Sequence, residues 1–436
     1  MSVRAVITVE GYMSKQIIDA LRHATPAYHP GWGGPEYSSW QDEQLSWKNG
    51  CYIGDWSFLW DVEFEGKDAL KLFSDISVNS FETFAIGQAK HVVQCDSKGK
   101  VVAEGILMRL GEDRFSSQGG SAFWSSFQLT KRGYEATWTE RQTFQLQVSG
   151  PTALAVCQAA TGDQLLDVKF MHFREVTIAG CKVKALRQGM AGEIGFEFHG
   201  DANDKEAVSA ALIAAGQDFG IRRLGRRTAM INHLEAAFPT SLWHFVTSSF
   251  GPESAGYLEF LYGNFDLKGI VPALQGSFQG ETIDDYLLSP YELGWGRSVK
   301  FDHDFTGRSA LESEAESPRR TRVTLEFNND DVVALYASLF GEEAPSDFLD
   351  MPHPHRWMVW ADAILKDGNA VGISSTPGYS LYFRKVLTLA FIDSSLSEAG
   401  TEVEVLWGNP GSKQRKIRAT VAPAPYKQDK RRDALR

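Results

Sequence analysis

The chain has 436 residues, 43% hydrophobic and 12% aromatic, with a formal net charge of -11, enough length for two or three domains with a sizeable core. The acidic balance disfavours nucleic acid as a general partner. No apolar run approaches the ~18 residues of a membrane span, and MSVRAVITVEG lacks the basic start of a signal peptide, so a cytoplasmic protein without a membrane partner is expected.

From the N-terminus, SKQIIDALRHA reads as a helix and residues 25–40, TPAYHPGWGGPEYSSW, as a loop rich in Gly, Pro and aromatic residues. FLWDVEFE alternates as a strand, KDALKLFSDI has helical spacing, and strands flank Asp96-Ser97-Lys98-Gly99. GPTALAVCQAATG predicts a further helix. VTI and KVKAL alternate about Ala179-Gly180 as a hairpin, and DANDKEAVSAALIAAG starts on capping residues and stops at Gly216, as a helix does. This mixed order with hairpins argues for an α+β fold rather than a doubly wound sheet. Residues 312–319 are acidic and carry Ser and Pro, which suggests a linker between a region 1–311 and a region 320–436. Beyond it TRVTLEF, AVGISSTPGYSLYF, KVLTLAFI and TEVEVLWG are short alternating strands, the pattern of a small β-barrel or sandwich of about 110 residues.

The stretch ALRQGMAGEIGFEFHG places Gly189, Gly192 and Gly195 three apart, with Glu193 and Glu197 among them. Glycine punctuation suggests a phosphate loop, but no Lys-Ser/Thr follows and the two carboxylates would repel a pyrophosphate. The segment joins strands, and by local pattern alone a turn with solvated acids serves as well as a ligand site. Cys51, Cys95, Cys157 and Cys181 show no C-x-x-C pair, so no metal site is signalled and reduced core thiols are expected.

GMAGEIGFEF resembles the G-Y-T-G-E-D-G-x-E-I motif of the glycine cleavage T-protein, and GPTALAV, PYELGWGRSVKFDHDFTGRSAL and VGISSTPGYS resemble its other landmarks in the same order. WKNGCYIGDWSF, GKDALKLFSDISVNS, RQGMAG, SPYELGWG, VKFDHDF, ALYASLF and VEVLWG resemble one branch of that superfamily. Its members are the tetrahydrofolate-dependent aryl O-demethylases acting on vanillate, syringate and 3-O-methylgallate, with related demethylases of methoxylated herbicide acids such as dicamba. The resemblance implies a T-protein-like folate-binding fold of mixed and antiparallel sheets with a C-terminal β-barrel. Its methyl acceptor is tetrahydrofolate and its substrate a small methoxylated aromatic acid. The T-protein's Asp-Asp pair is replaced here by Glu104 and Gly105, which disfavours aminomethyl chemistry. A sulfonium or aminomethyl donor, or a non-catalytic folate-binding protein of the same fold, are the alternatives.

Site residues follow from the same resemblance. Glu197 occupies the position of the pterin-binding acid, with Gly195 beside it, Glu193 as a weaker candidate, and Trp295 as a stacking surface. Arg227 matches an arginine common in the family, which holds either the fold or the folate, and the run IRRLGRR offers cations for a carboxylate substrate. His244 and Tyr28 are candidate proton donors to the departing phenol oxygen, His244 because a histidine's near-neutral pKa suits the task. His29, Trp32 and Trp243 are candidate substrate contacts.

Overall fold

In the computed structural model of the chain, residues 14–435 are described except 26, 29, 30, 32, 191, 252, 253 and 267–272. The site depends on a six-stranded sheet in the order Ile221–Arg223, Cys51–Asp55, Thr143–Ser149, Gly195–Asp201, Cys181–Leu186, Phe173–Ile178, antiparallel but for its first pair. The helices Ala153–Thr161 and Lys205–Gly216 cover one face, where Phe144, Leu146, Val148, Phe196 and Phe198 pack with Val156, Val208 and Leu212. Side chains alternate across a strand, so Gln145, Gln147, Ser149, Glu197 and His199 stand on the opposite face. They are buried as well.

The layer across that polar face comes partly from a five-stranded antiparallel sheet, ordered Ala89–Cys95, Val101–Arg109, Arg114–Gln118, Asp61–Glu65, Thr137–Arg141. Its own core joins Val62, Phe64 and Phe115 to the helices Ala69–Ile76 and Gly120–Lys131 through Phe73 and Trp124. At its inner end the Gln118 amide reaches His199 of the first sheet, 3.0 Å away.

Toward the C-terminus six strands close on themselves: Arg320–Phe327, Arg415–Ala422, Glu402–Trp407, Asp362–Lys366, Asn369–Ser374 and Lys385–Asp393, which pairs back to the first. Closure leaves no free edge, and Val323, Leu325, Ile364, Val405 and Ile417 fill the barrel. The two-residue strand Ala27–Tyr28 pairs with Arg356–Trp360, which also pairs with Ala273–Gln275. The α+β architecture with a C-terminal barrel is thus as the sequence implies. Among the described residues no helix is long and apolar enough to cross a membrane.

Local departures have physical causes. AVGISSTPGYSLYF is two strands, because Pro377 lies between Asn369–Ser374 and Gly378–Ser380 and Thr376 there bonds the carbonyl of Trp243. The expected linker is half helix: Arg308–Glu314 buries Leu311, and the next strand opens on Arg320, whose guanidinium is buried on Glu292 at 2.6 Å. Trp40–Asn49, expected as loop only at its start, is a helix capped by the Ser39 hydroxyl. The helix ending at Gly216 continues as a tight turn to Gly220, where φ is +74°.

Candidate functional site

Glu197 lies in the middle of the Gly195–Asp201 strand, opposite Gln147 on one side and Leu186 on the other. The glycine segment returns the chain from Cys181–Leu186 into this strand. Gly192 has φ +69°, which a side chain would strain, and a Cβ at Gly195 would stand 2.8 Å from Ser149 Cβ. These two glycines let the loop close tightly enough for the Gln188 amide to donate to Glu197 Oε2 at 3.1 Å.

His199 Nε2 stands 3.8 Å from the same carboxylate oxygen. This is not an ion pair. Burial, with Lys184 nearby, pulls the His199 pKa down to about 3, and its Nδ1 accepts from Gln118, so a neutral ring presents Nε2–H to the carboxyl. Burial pushes the Glu197 pKa up to about 7, opposed only by the Gln188 bond. Gln147 Oε1 accepts from the Tyr52 hydroxyl and from Met190 N, which leaves its Nε2 without a partner among the described residues. Gln145 Oε1 and His199 Nε2 are likewise buried and unpaired. So many unsatisfied polar atoms on one buried face are costly unless a polar ligand meets them.

Aromatic side chains continue the wall. Trp56 meets His233 edge-on at 6.0 Å, His233 meets Phe238 at 6.1 Å, and Ala236 Cβ stands 3.7 Å from where a Cβ on Gly192 would lie. Phe238 then packs on His91 at 5.6 Å, and Trp295 on His91 at 4.9 Å. His91 Nε2 is bonded to Glu104 Oε2 at 3.0 Å, and the Ser241 hydroxyl donates to Glu104 Oε1 at 3.1 Å. Glu104 faces this wall, near enough to His233 for its charge to act on that ring.

The structure distributes the expected residues unevenly. Glu197 and Gly195 belong to this face, and Trp295 belongs to the aromatic wall beside His91. Glu193 turns to the C-terminal segment instead: its carboxylate is 3.6 Å from Lys430 Nζ, and burial raises its pKa against the opposing charges of Lys427, Lys430 and Lys48. Arg227 is engaged with Glu36 at 2.6 Å and the carbonyl of Met351, tying the Arg226–Glu235 helix to the loop before Trp40. Arg222 pairs with Asp42, and Arg223 stacks on Tyr37, so these cations of IRRLGRR serve the fold.

For His244 the premise needs correction. It is buried, its Nδ1 accepts from Thr240 N at 2.9 Å, and burial with His353 and His233 nearby holds its pKa well below 6.5, so it stays neutral. Trp243 is buried against His353 at 5.4 Å. The backbone of Tyr28 pairs with Arg356; its side chain, like His29 and Trp32, lies outside the described residues. Gln145, Gln147, Gln188, Gln118, His199 and His91 were not singled out by sequence. The available signal was TFQLQVS followed later by GFEFHGD, two strands whose polar positions alternate with a fully apolar set.

The GCVT N-terminal domain family matches residues 14–254. The chain is 34% identical to a syringate O-demethylase of Sphingobium sp. (strain NBRC 103272 / SYK-6), over 94% of this chain and 93% of that protein. It is 32% identical to a sesamin methylene transferase of Sinomonas sp. (strain No.22), over 90% and 89%. Among solved structures, the glycine cleavage system aminomethyltransferase T from Bartonella henselae superposes with a TM-score of 0.66 at 20% identity, covering 96% of this chain and 98% of that one.

Proposed function

Because the chain belongs to the glycine cleavage T-protein superfamily, in its aryl O-demethylase branch, we propose that it is a tetrahydrofolate-dependent O-demethylase. Its donor is the methyl group of a methoxylated aromatic acid of the vanillate, syringate, 3-O-methylgallate or chlorinated methoxybenzoate type. The products are a phenol and 5-methyltetrahydrofolate.

The observation that carries this reading is the buried carboxyl of Glu197 amid unpaired polar atoms. A reduced pterin presents an N3–H and a 2-amino group side by side beside a carbonyl. Glu197 is a planar acceptor for the two donors, and the unpaired Gln147 amide is a donor of the kind the carbonyl needs. The donor set therefore fits. Gln188 keeps the carboxylate oriented, and Gly195 lets the neighbouring strand lie close beside it. When bound, tetrahydrofolate supplies the nucleophilic nitrogen that accepts the methyl group.

Displacement at an aryl methyl ether demands close alignment, because phenolate is a poor leaving group. It also demands a hydrogen-bond donor at the oxygen that accumulates charge. Phe238 and Trp295 provide apolar flanks for an aryl ring and exclude water from it. Transfer of a methylene rather than a methyl group is a second reading, favoured by the similarity to the sesamin methylene transferase. Incubation with tetrahydrofolate and a panel of methoxybenzoates distinguishes the two. Phenol and 5-methyltetrahydrofolate in equal amounts support methyl transfer; a methylene-level pterin from another donor, with no turnover of the panel, favours the second; formaldehyde released with consumption of oxygen contradicts both.

A further inference from the structure

His91 and Glu104 lie on neighbouring antiparallel strands, in a register that pairs His91 with Ile106 and Val93 with Glu104. Glu104 is two residues from Ile106, so it shares a face with His91 as its diagonal neighbour, within reach of a long side chain. The contact is made: Glu104 Oε2 takes His91 Nε2 at 3.0 Å, and its other oxygen is held by Ser241. A carboxylate on one ring nitrogen fixes the imidazole's orientation and leaves Nδ1 as the nitrogen that faces other partners. The ring is one-fifth exposed rather than sealed, and Trp295 and Phe238 stand against it.

This arrangement differs from the buried, neutral His244. It joins an orienting acid, a histidine and an aromatic pair against the same five-stranded sheet whose Gln118 amide reaches His199, the neighbour of Glu197 on the polar face. We propose that His91, positioned by Glu104 and Ser241, donates the proton to the aryl ether oxygen as the methyl group leaves, and that Phe238 and Trp295 flank the aromatic ring at that point. The proposal rests on the methyl-transfer reading above.

The balance is complete without a further reagent. The carbon–oxygen electron pair stays on the aryl oxygen, which takes the Nδ1 proton of the imidazolium to become a phenol. The acceptor nitrogen gives up one proton to solvent and the imidazole takes one from solvent, so the proton count closes. Glu104 and Ser241 touch no reacting atom and are positioning residues.

The test compares wild type with His91→Gln, His91→Phe and Glu104→Gln in two measurements. The first needs no pterin: protein fluorescence follows binding of a methoxybenzoate and of its demethylated phenol. Nδ1 accepts from the phenol and donates to the more weakly accepting ether oxygen, so His91→Phe weakens phenol binding about tenfold and ether binding by less. The second is single-turnover transfer to tetrahydrofolate across methoxybenzoates whose phenols differ in acidity. His91→Gln slows transfer at least about 100-fold for the least acidic phenol, and less as the phenol becomes more acidic. Glu104→Gln shows the same trend with a smaller loss. Normal turnover in these variants, a loss independent of phenol acidity, or unchanged phenol binding overturns the role of His91. Should His91→Gln fail to fold, His91→Phe and Glu104→Gln carry the comparison. A wild-type protein that methylates tetrahydrofolate from no member of the panel overturns the parent reading, while normal wild-type turnover with unaffected variants overturns this proposal alone.

Discussion

Replacing Glu197 by Gln separates two consequences of burying a carboxyl where a ligand is to meet it. The ligand-free fold holds this carboxyl at about 7 against its ordinary 4.5, through burial. A raised acid favours the fold fully only below the unfolded pKa, and that contribution is lost as pH rises through the folded one. Between pH 5 and pH 8 the wild type therefore forfeits about 2 to 3 kcal/mol on this account. Gln is neutral throughout and still offers an oxygen to the Gln188 amide, so Glu197→Gln gains by that amount relative to wild type across the same interval. Tetrahydrofolate affinity moves the other way. The amide sets its own NH2 against the pterin donors and removes charge-assisted bonds worth roughly 1.5 to 3 kcal/mol, a loss of about 10- to 150-fold. Urea unfolding at the two pH values and fluorescence titration with tetrahydrofolate read both effects. A stability difference that does not change with pH, or an affinity equal to wild type, would refute the reasoning.

The same ionisation makes wild-type affinity for tetrahydrofolate fall about fivefold from pH 7 to pH 6, because the bound form requires the carboxylate; titrations at the two values check it, and Glu197→Gln should lack the change. Gly195→Ala forces a Cβ to within 2.8 Å of Ser149; thermal unfolding should show a loss of about 1 to 3 kcal/mol, and pterin titration a weakened site. Phe198→Ala empties a fully buried position on the opposite face of the same strand, so unfolding should show a loss of about 3 to 5 kcal/mol while the folded fraction keeps near-normal pterin affinity.

The parts of the fold legible in the sequence were those with a strong local period. SKQIIDALRHA, the hairpin about Ala179-Gly180 and the closing run of short strands all appear where alternation or helical spacing is clean. Arg226–Glu235 was missed as a helix because nearly all of it is buried, which erases the polar stripe that marks a surface helix. At the candidate site, the motif singled out Glu197, which the fold buries on the polar face. The polar residues around it were not singled out: Gln118, Gln188 and His199 come from separate segments brought together only by the pairing of strands and the approach of two sheets. His244 illustrates a different limit. Its residue type suggested a proton donor, but the pKa that would make it one is set by burial, which one-dimensional reading cannot supply. Arg227, too, was consistent with folate or fold from sequence; Glu36 and the Met351 carbonyl take its two terminal nitrogens.

The most direct measurement of the central claim follows the methyl group itself. Wild-type protein is incubated with tetrahydrofolate and a methoxybenzoate carrying a trideuterated methyl, and the pterin product is weighed by mass spectrometry. Direct transfer predicts 5-methyltetrahydrofolate with all three deuteriums retained, formed in step with the phenol. Loss of deuterium from the pterin, or phenol formed without labelled pterin, would contradict it.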